Sequence, residues 1–299
     1  MIYIIFFLAV ALNGATDAAN AVTGVVSGGI MPYRRAAFLS AALNFLGLMC
    51  FAAFAPALAE TVSQFSAGDP REGAAALMTV VIFAGGAWIL SVPTSESHAM
   101  IAAMAGASAA SGGVINRELL IYINIGALAS AVMGAFFSAC LRRLIPESFL
   151  QKKWVAVLGC AAASVLHGAQ DGQKFLALAI GAGILSAGTS SSAKVAFVMF
   201  LGTLFGGRRI VRKLGEQMTE VDIPSAVASD IGSAVSLLAV TLLGIPASTT
   251  HTKTCAIAGA ATVSGKRVDI KELGSILAGW IVTVPVCFLL GWSLCRYVI

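Results

Sequence analysis

Two pairs of polar motifs recur in the two halves of this 299-residue chain. The first half carries NGATDAAN around Asp17 and VPTSESH around Pro93, and the second half carries HGAQDGQK around Asp171 and IPASTTH around Pro246. The two acids are 171 − 17 = 154 residues apart, and the two prolines are 246 − 93 = 153 residues apart. Such matched spacing indicates a duplication, so the chain must fold into two similar units.

The motifs lie in a chain that is too apolar to be surrounded by water. Hydrophobic residues make up 58% of the chain and charged residues 11%, and the mean hydropathy is +0.90. A soluble chain of this length would carry more charge. We therefore predict an all-α, multi-pass protein of the cell membrane, with the lipid bilayer as its surroundings. The basic residues fall in short loops without interleaved aromatic residues, so nucleic acid is not an expected partner.

Segment length divides the apolar sequence into crossing helices and shorter pieces. A helix needs about 20 residues to cross a hydrocarbon core of about 30 Å. Long apolar segments lie near 1–31, 36–59, 73–91, 119–141, 154–187, 193–207, 228–245 and 272–297. Two shorter segments, 98–112 and 252–263, follow the proline motifs. We predict two re-entrant helical hairpins, 73–112 and 228–263, whose tips are the proline motifs.

Each predicted repeat, residues 1–153 and 154–299, then reads as helix, helix, hairpin, helix. Three crossings per repeat is an odd number, so the second repeat must be inverted relative to the first. Loop charge agrees, because most Lys and Arg residues fall in 32–35, 142–153, 206–222 and 264–272. Such short basic loops stay cytoplasmic. We expect the acidic linkers 60–72 and 113–118, and both chain termini, on the outer side.

The segments 1–31 and 154–187 are long for single spans and are interrupted by glycine and polar residues. We therefore expect each of them to form two half-helices around an unwound centre. Discontinuous helices of this kind survive in a membrane only where protein or a wet cavity covers the exposed backbone.

Asp17 and Asp171 are the first candidates for function. A carboxylate at the centre of a bilayer costs at least about 2.5 to 3.5 kcal/mol, which a partner or a cation must offset. Side-chain oxygens nearby would suit a hard cation such as Na⁺. The candidate coupling-cation ligands beside the two acids are Asn13, Thr16, Asn20, His167, Gln170 and Gln173. The alternative is that each acid caps a broken helix, as Asp often does.

Both proline motifs have the composition of an anion site. A helix that begins there leaves its first amides without intrahelical partners, and these amides favour an oxyanion. The candidate substrate-binding residues are Thr94, Ser95, Ser97, Ser248, Thr249 and Thr250, with Asp17 and Asp171 beside them. The alternative is that the hydroxyls only satisfy backbone groups at a helix start.

Other ionisable residues cluster in the same motifs. The candidates for a proton relay or a charge partner are Glu96, His98, Lys174, His251 and Lys253. We expect Lys174 to pair with Asp171, since the two are three residues apart on a helix. Asp230 is expected near the cytoplasmic end of a hairpin arm, where it needs no function. Ser97 and His98 are neighbours whose side chains point apart, and no HExxH or nucleophile-elbow motif is present, so an enzyme is not expected.

The motifs GATDAANAV, VPTSESHAM, HGAQDGQK and GIPASTTHTKT together resemble the inorganic phosphate transporter family, the sodium/proton-phosphate symporters. The resemblance implies secondary active transport of phosphate, held between the two hairpin tips. It also implies a coupling Na⁺ or H⁺ near the acidic motifs, with Na⁺ at Asp17, Asn20 and Asp171, no cofactor, and a homodimer.

The chain departs from that family's pattern at three places. Thr16 and Gln170 stand where the family usually has Asn, and Glu96 stands where many members have Thr. An ionised Glu96 would repel phosphate unless it points away, is protonated, or pairs with a lysine or a cation. Sulfate or another tetrahedral oxyanion therefore remains an alternative substrate, and an uncoupled anion channel remains an alternative mechanism.

Overall fold

The computed structural model describes residues 2–64, 69–113 and 115–299. The first half forms α1 (Ile2–Ser27), α2 (Tyr33–Phe54), α3 (Ala57–Ser63), α4 (Pro70–Leu90), α5 (Glu96–Ser111) and α6 (Arg117–Leu144). The second half forms α7 (Glu147–Leu150), α8 (Lys153–Gly181), α9 (Thr189–Phe205), α10 (Arg208–Arg212), α11 (Ile223–Leu242), α12 (Thr249–Val263) and α13 (Ile270–Tyr297). Within the described ranges the fold is helical, and the backbone forms an isolated antiparallel bridge between Thr219 and Val268.

Both hairpins form where the short apolar segments predicted them. Hairpin 1 consists of α4 and α5, and hairpin 2 consists of α11 and α12. Ser95 and Ser248 begin the short arms, and each side-chain oxygen accepts a hydrogen bond from the backbone N–H three residues later. This is the usual N-cap of a helix, and it fixes where each tip ends.

The two halves of the chain exchange packing partners across the molecule. The short arm α5 packs on α13, the last long helix of the second half, and α12 packs on α6, the last long helix of the first half. Gly106 of α5 and Gly259 of α12 are 153 residues apart and make these contacts close. An added Cβ would lie 2.0 Å from the Phe288 carbonyl oxygen in one case and 2.4 Å from the Ala135 carbonyl oxygen in the other.

The prediction of unwound centres in segments 1–31 and 154–187 is wrong. Helix α1 runs without a break past Asp17, and α8 runs without a break past Asp171. Polar side chains such as Asn20 and Lys174 make hydrogen bonds to the hairpin tips, while the helical backbone keeps its own hydrogen bonds. Among the described residues, the helices at the centre are broken only at the two hairpin tips.

The outer surface is apolar, as a protein in lipid requires. Helices α1, α2, α4, α6, α11 and α13 have the length and hydropathy to cross a membrane. Leu128 and Ile281, on α6 and α13, are 67% and 74% exposed. The chain is a multi-pass membrane protein. Parts of the predicted outer linkers, 65–68 and residue 114, lie outside the described residues.

Candidate functional site

The two acidic motifs meet the two hairpin tips inside the bundle. Asp17 on α1 and Asp171 on α8 are 5% and 2% exposed. Asn13 links them, because its side-chain amide lies 3.2 Å from Asp17 Oδ2 and 3.4 Å from Asp171 Oδ2. The packing of α1 on α8 therefore brings the two acids to one place.

The first acidic motif holds the tip of hairpin 2. The Thr250 hydroxyl donates to Asp17 Oδ1 over 3.0 Å. The Asn20 amide donates to Asp17 Oδ1 over 3.2 Å and to the Thr250 hydroxyl oxygen over 3.0 Å. Thr249 donates to Asp171 Oδ2 over 3.2 Å, and its oxygen is 3.5 Å from Asp17 Oδ2. These threonines therefore satisfy the two carboxylates rather than lining an open pocket.

The second acidic motif holds both tips through Lys174. Its ammonium donates to Asp171 Oδ1 over 2.8 Å and to the Ser97 hydroxyl oxygen over 2.7 Å. It also donates to the carbonyl oxygen of Ala247 in the tip of hairpin 2. The expected pairing of Lys174 with Asp171 is therefore present, and the lysine also joins the two tips.

The candidate cation ligands converge at the same point. Asp17, His167 and Asp171 offer ligand atoms that lie within 4.8 Å of one another. His167 Nε2 is 3.3 Å from Asp171 Oδ2. The side-chain oxygens of Asn13 and Asn20 are buried without a hydrogen-bond partner among the described residues. Unpartnered amide oxygens beside carboxylates are suited to a hard cation such as Na⁺.

The hairpin tips touch one another through their histidines. The rings of His98 and His251 stack with centroids 4.7 Å apart, and the His251 ring lies 3.7 Å from that of Trp280. Both histidines line a cavity of about 480 Å³ between α6 and α13. The contact with Trp280 had no signal in the sequence, because it depends on how α13 packs.

Glu96 does not point away from the site. It is buried, and the Thr16 hydroxyl donates to its Oε1 atom. Its Oε2 atom has no hydrogen-bond partner among the described residues. Thr94, on the approach to the same tip, is also buried. The tip of hairpin 1 therefore brings a third carboxyl group to the centre.

Lys253, one of the candidate charge partners, has a different environment. Lys253 pairs with Asp230 inside hairpin 2, and its ammonium lies 3.3 Å from the Ser229 hydroxyl oxygen. The sequence predicts Asp230 near the cytoplasmic end of a hairpin arm, without a function. Helix α11 begins at Ile223, so Asp230 lies two turns into the helix, where it is fully buried and needs Lys253 as its partner.

The two glutamines have different environments. Gln170 donates to the Thr241 hydroxyl over 2.8 Å and accepts the Ala247 N–H over 3.2 Å, so it supports the tip of hairpin 2. This supporting role was not foreseen, since only the folded hairpin brings Ala247 beside α8. The buried side-chain amide of Gln173 has no hydrogen-bond partner among the described residues.

The fold and this centre define a class: a multi-pass helical membrane protein with buried charged residues between two hairpin tips, as in transport proteins. A model of the phosphate transporter family matches residues 13–155 and 150–291. The chain belongs to the phosphate transporter family, and it is a transport protein rather than an enzyme.

Relatives and a solved structure agree with that assignment. The chain is 32% identical to a probable low-affinity inorganic phosphate transporter of Rhizobium meliloti, over 96% of this chain and 92% of the relative. It is 28% identical to a protein of the same description from Bacillus subtilis, over 94% and 91% of the two chains. A solved structure described as the sodium-dependent phosphate transporter superposes with a TM-score of 0.86, at 18% identity, over 98% of this chain and 97% of the other. This last similarity concerns the fold.

Proposed function

We propose that the chain is a secondary active transporter that carries inorganic phosphate across the membrane together with a coupling cation. The observation that carries the proposal is the meeting of two hairpin tips with Asp17 and Asp171 in one buried centre. The relatives are named as inorganic phosphate transporters, and the geometry of the centre supports an oxyanion.

The phosphate site lies between the tips. Helices α5 and α12 begin there, so the amides of Glu96, Ser97, Thr249 and Thr250 in their first turns have no intrahelical partner. The positive end of each helix favours an anion at that place. Thr94 adds a hydroxyl to the approach. In the proposed cycle a cation binds at Asp17 and Asp171 and displaces the hydroxyls of Thr249 and Thr250. The freed hydroxyls then donate to the phosphate.

The charge of the centre supports coupling to a cation. Asp17, Glu96 and Asp171 bring three carboxyl groups to the centre. The ammonium of Lys174 contacts one of them, Asp171, and also the Ser97 hydroxyl in the tip of hairpin 1. Phosphate would be repelled by the excess of carboxylates, so a cation must enter with it or before it. Asn13, Asn20 and His167 are the proposed neutral ligands, and the cation is Na⁺ or H⁺.

The exchanged packing of the hairpins supports alternating access by inverted repeats. In this proposal residues 1–153 and 154–299 are the two repeats, and each hairpin closes the centre toward its own side of the membrane. His98 and His251, stacked at the centre, separate when one tip withdraws. The homodimer implied by the resemblance is likewise a proposal.

Uptake into proteoliposomes tests the function. Radioactive phosphate should accumulate above its outside concentration under an inward Na⁺ or H⁺ gradient, and Asp171→Asn should abolish the effect of the gradient. Glu220→Gln, which removes an exposed carboxylate outside the centre, is the matched control and should leave uptake unchanged. Uptake that ignores both gradients would contradict the symport mechanism.

Two further measurements separate the alternatives. Sulfate that inhibits phosphate uptake as strongly as unlabelled phosphate would point to a general oxyanion transporter. Phosphate that only equilibrates, without accumulating against its gradient, would point to a channel.

A further inference from the structure

Lys174 stands where the first repeat has a neutral amide. Asn20 follows Asp17 by three residues, and Lys174 follows Asp171 by three residues. The acids are equivalent in the duplication, so the two side chains occupy equivalent positions. One repeat therefore has a fixed positive charge where the other has an asparagine.

The contacts of these two residues are mirrored in space as well as in sequence. Asn20 donates to the Thr250 hydroxyl oxygen, in the tip of hairpin 2, over 3.0 Å. Lys174 donates to the Ser97 hydroxyl oxygen, in the tip of hairpin 1, over 2.7 Å. Ser97 and Thr250 are 153 residues apart, which is the spacing of the two proline motifs. Each acidic helix thus contacts the tip of the opposite repeat at the same place.

The ammonium of Lys174 is surrounded by oxygens. An ammonium has three N–H donors, and those of Lys174 meet Asp171 Oδ1, Ser97 Oγ and the Ala247 carbonyl oxygen. A carboxylate, a hydroxyl and a carbonyl are also the ligands that a hard cation takes. Since all three donors are used, the ammonium has none left for a phosphate oxygen, which argues against a role in attracting the substrate.

The first repeat has no ammonium at its acid. The side-chain oxygens of Asn13 and Asn20 are buried beside Asp17 and have no hydrogen-bond partner among the described residues. Both residues are more than nine-tenths buried. Unsatisfied buried oxygens call for a donor or a cation. In the second repeat the side-chain oxygen of Gln173 is also buried without a partner among the described residues, but there the ammonium of Lys174 already lies against the acid. In the first repeat that place has the neutral Asn20 instead of a lysine, so it can accept an exchangeable ion.

A second exchange of charge accompanies the first. Glu96 in the tip of hairpin 1 is equivalent to Thr249 in the tip of hairpin 2. If both repeats had the neutral residues Thr249 and Asn20 at these positions, the centre would have one carboxyl group and one ammonium fewer. Glu96 directly precedes Ser97, which Lys174 contacts, so the two added charges lie in neighbouring parts of the same buried centre.

We propose that the ammonium of Lys174 is a tethered cation. It occupies in the second repeat the place that, in the first repeat, is open to an exchangeable cation. Glu96 balances this fixed charge. The consequence for transport rests on the proposed function: each cycle binds and releases one exchangeable cation fewer than a symmetric centre would. The tethered charge supports Asp171 without being carried across the membrane.

Binding of Na⁺ to the purified protein tests the proposal without any transport. We would count radioactive Na⁺ bound per chain, and measure the melting temperature in Na⁺ and in choline at equal ionic strength. Lys174→Asn should bind one more Na⁺ per chain than the unmodified protein and should show a larger rise in melting temperature with Na⁺. Lys174→Arg, which keeps the charge, should bind no additional Na⁺. A folded Lys174→Asn variant with unchanged Na⁺ binding would overturn the proposal.

A second variant covers the case in which Lys174→Asn does not fold. The double variant E96T/K174N removes one carboxyl group and one ammonium, so the formal net charge is unchanged, and it should bind one more Na⁺ than E96T alone. Equal binding in these two variants would overturn the proposal. Lys253→Asn is the matched control: it removes the other buried lysine that pairs with an aspartate, and it should lose stability without gaining Na⁺. If the unmodified protein takes up no phosphate, the proposed function fails while the Na⁺ counts still decide the role of Lys174.

Discussion

The two hairpins share a plan but differ in how their arms are joined. In both, a serine caps the short arm at the tip, and a glycine brings that arm close to a helix of the other repeat. Hairpin 2 has its arms joined in the interior by the buried pair Asp230 and Lys253. In hairpin 1 the Ser111 hydroxyl donates to Glu72, near the ends of the arms away from the tip.

The two hairpins therefore have matching contacts that position their tips, but different contacts between their own arms. A buried ion pair prevents the arms of hairpin 2 from separating, because either charge alone in the interior would be costly. We therefore expect hairpin 2 to move as a rigid unit and the arms of hairpin 1 to separate more readily near the tip.

Breaking the pair in hairpin 2 should have the largest effect on stability. Lys253→Met leaves the Asp230 carboxylate buried and unpaired, at a cost of about 3–5 kcal/mol. The melting temperature of the purified protein should fall sharply, and the double variant K253M/D230N should recover most of the loss. A single variant that melts like the unmodified protein would show that this pair does not restrain the hairpin.

The packing glycines should give intermediate and equal effects in the two hairpins. Gly106→Ala and Gly259→Ala each place a Cβ against a backbone carbonyl of the opposite repeat, so each should cost about 1–3 kcal/mol through overpacking. Gly86→Ala is the control on α4, since an added Cβ there meets no atom within 4 Å. Unequal losses at Gly106 and Gly259, measured by thermal unfolding, would mean that the repeats do not pack equivalently.

Gln170→Ala should affect hairpin 2 alone. The substitution leaves the buried Ala247 amide without its acceptor, which costs about 1–3 kcal/mol. Hydrogen exchange should rise at the tip of hairpin 2 and stay unchanged at the tip of hairpin 1. Equal increases at both tips would show that the tips are not held separately.

Ser111→Ala should have the smallest effect. It removes the hydroxyl that donates to Glu72 in hairpin 1, a loss of about 0.5–1.5 kcal/mol. Phosphate uptake should stay within the error of the unmodified protein, since the residue lies far along α5 from the tip. A loss of uptake as large as that of Asp171→Asn would show that the contact between Ser111 and Glu72 matters for transport and not only for joining the arms of hairpin 1.

Helix positions and hairpins were predictable from the sequence because they depend on local signals. The proline motifs end the long arms, and short apolar segments follow them, so 98–112 and 252–263 correspond closely to α5 and α12. The equal spacing of the motifs also marked Asp17 and Asp171 as a matched pair, and the structure places them together.

The rest depended on contacts between distant segments. The polar residues of α1 and α8 predicted a break in each helix. In the structure, side chains of these helices donate hydrogen bonds to Thr250, Ser97 and Ala247 across the bundle, and the backbone stays helical. The burial of Asp230 had no sequence signal, because it requires the two arms of hairpin 2 to bring Lys253 beside it.

The inverted arrangement of the repeats can be checked by labelling the bases of the two hairpins. The six cysteines form no disulfides, so each can be replaced by alanine and a single cysteine introduced at Glu118, by the base of hairpin 1, or at Arg267, by the base of hairpin 2. In oriented membrane vesicles, a membrane-impermeant maleimide should reach the two positions from opposite sides. Labelling of both positions from the same side would contradict inverted repeats and, with them, a centre gated alternately by the two hairpins.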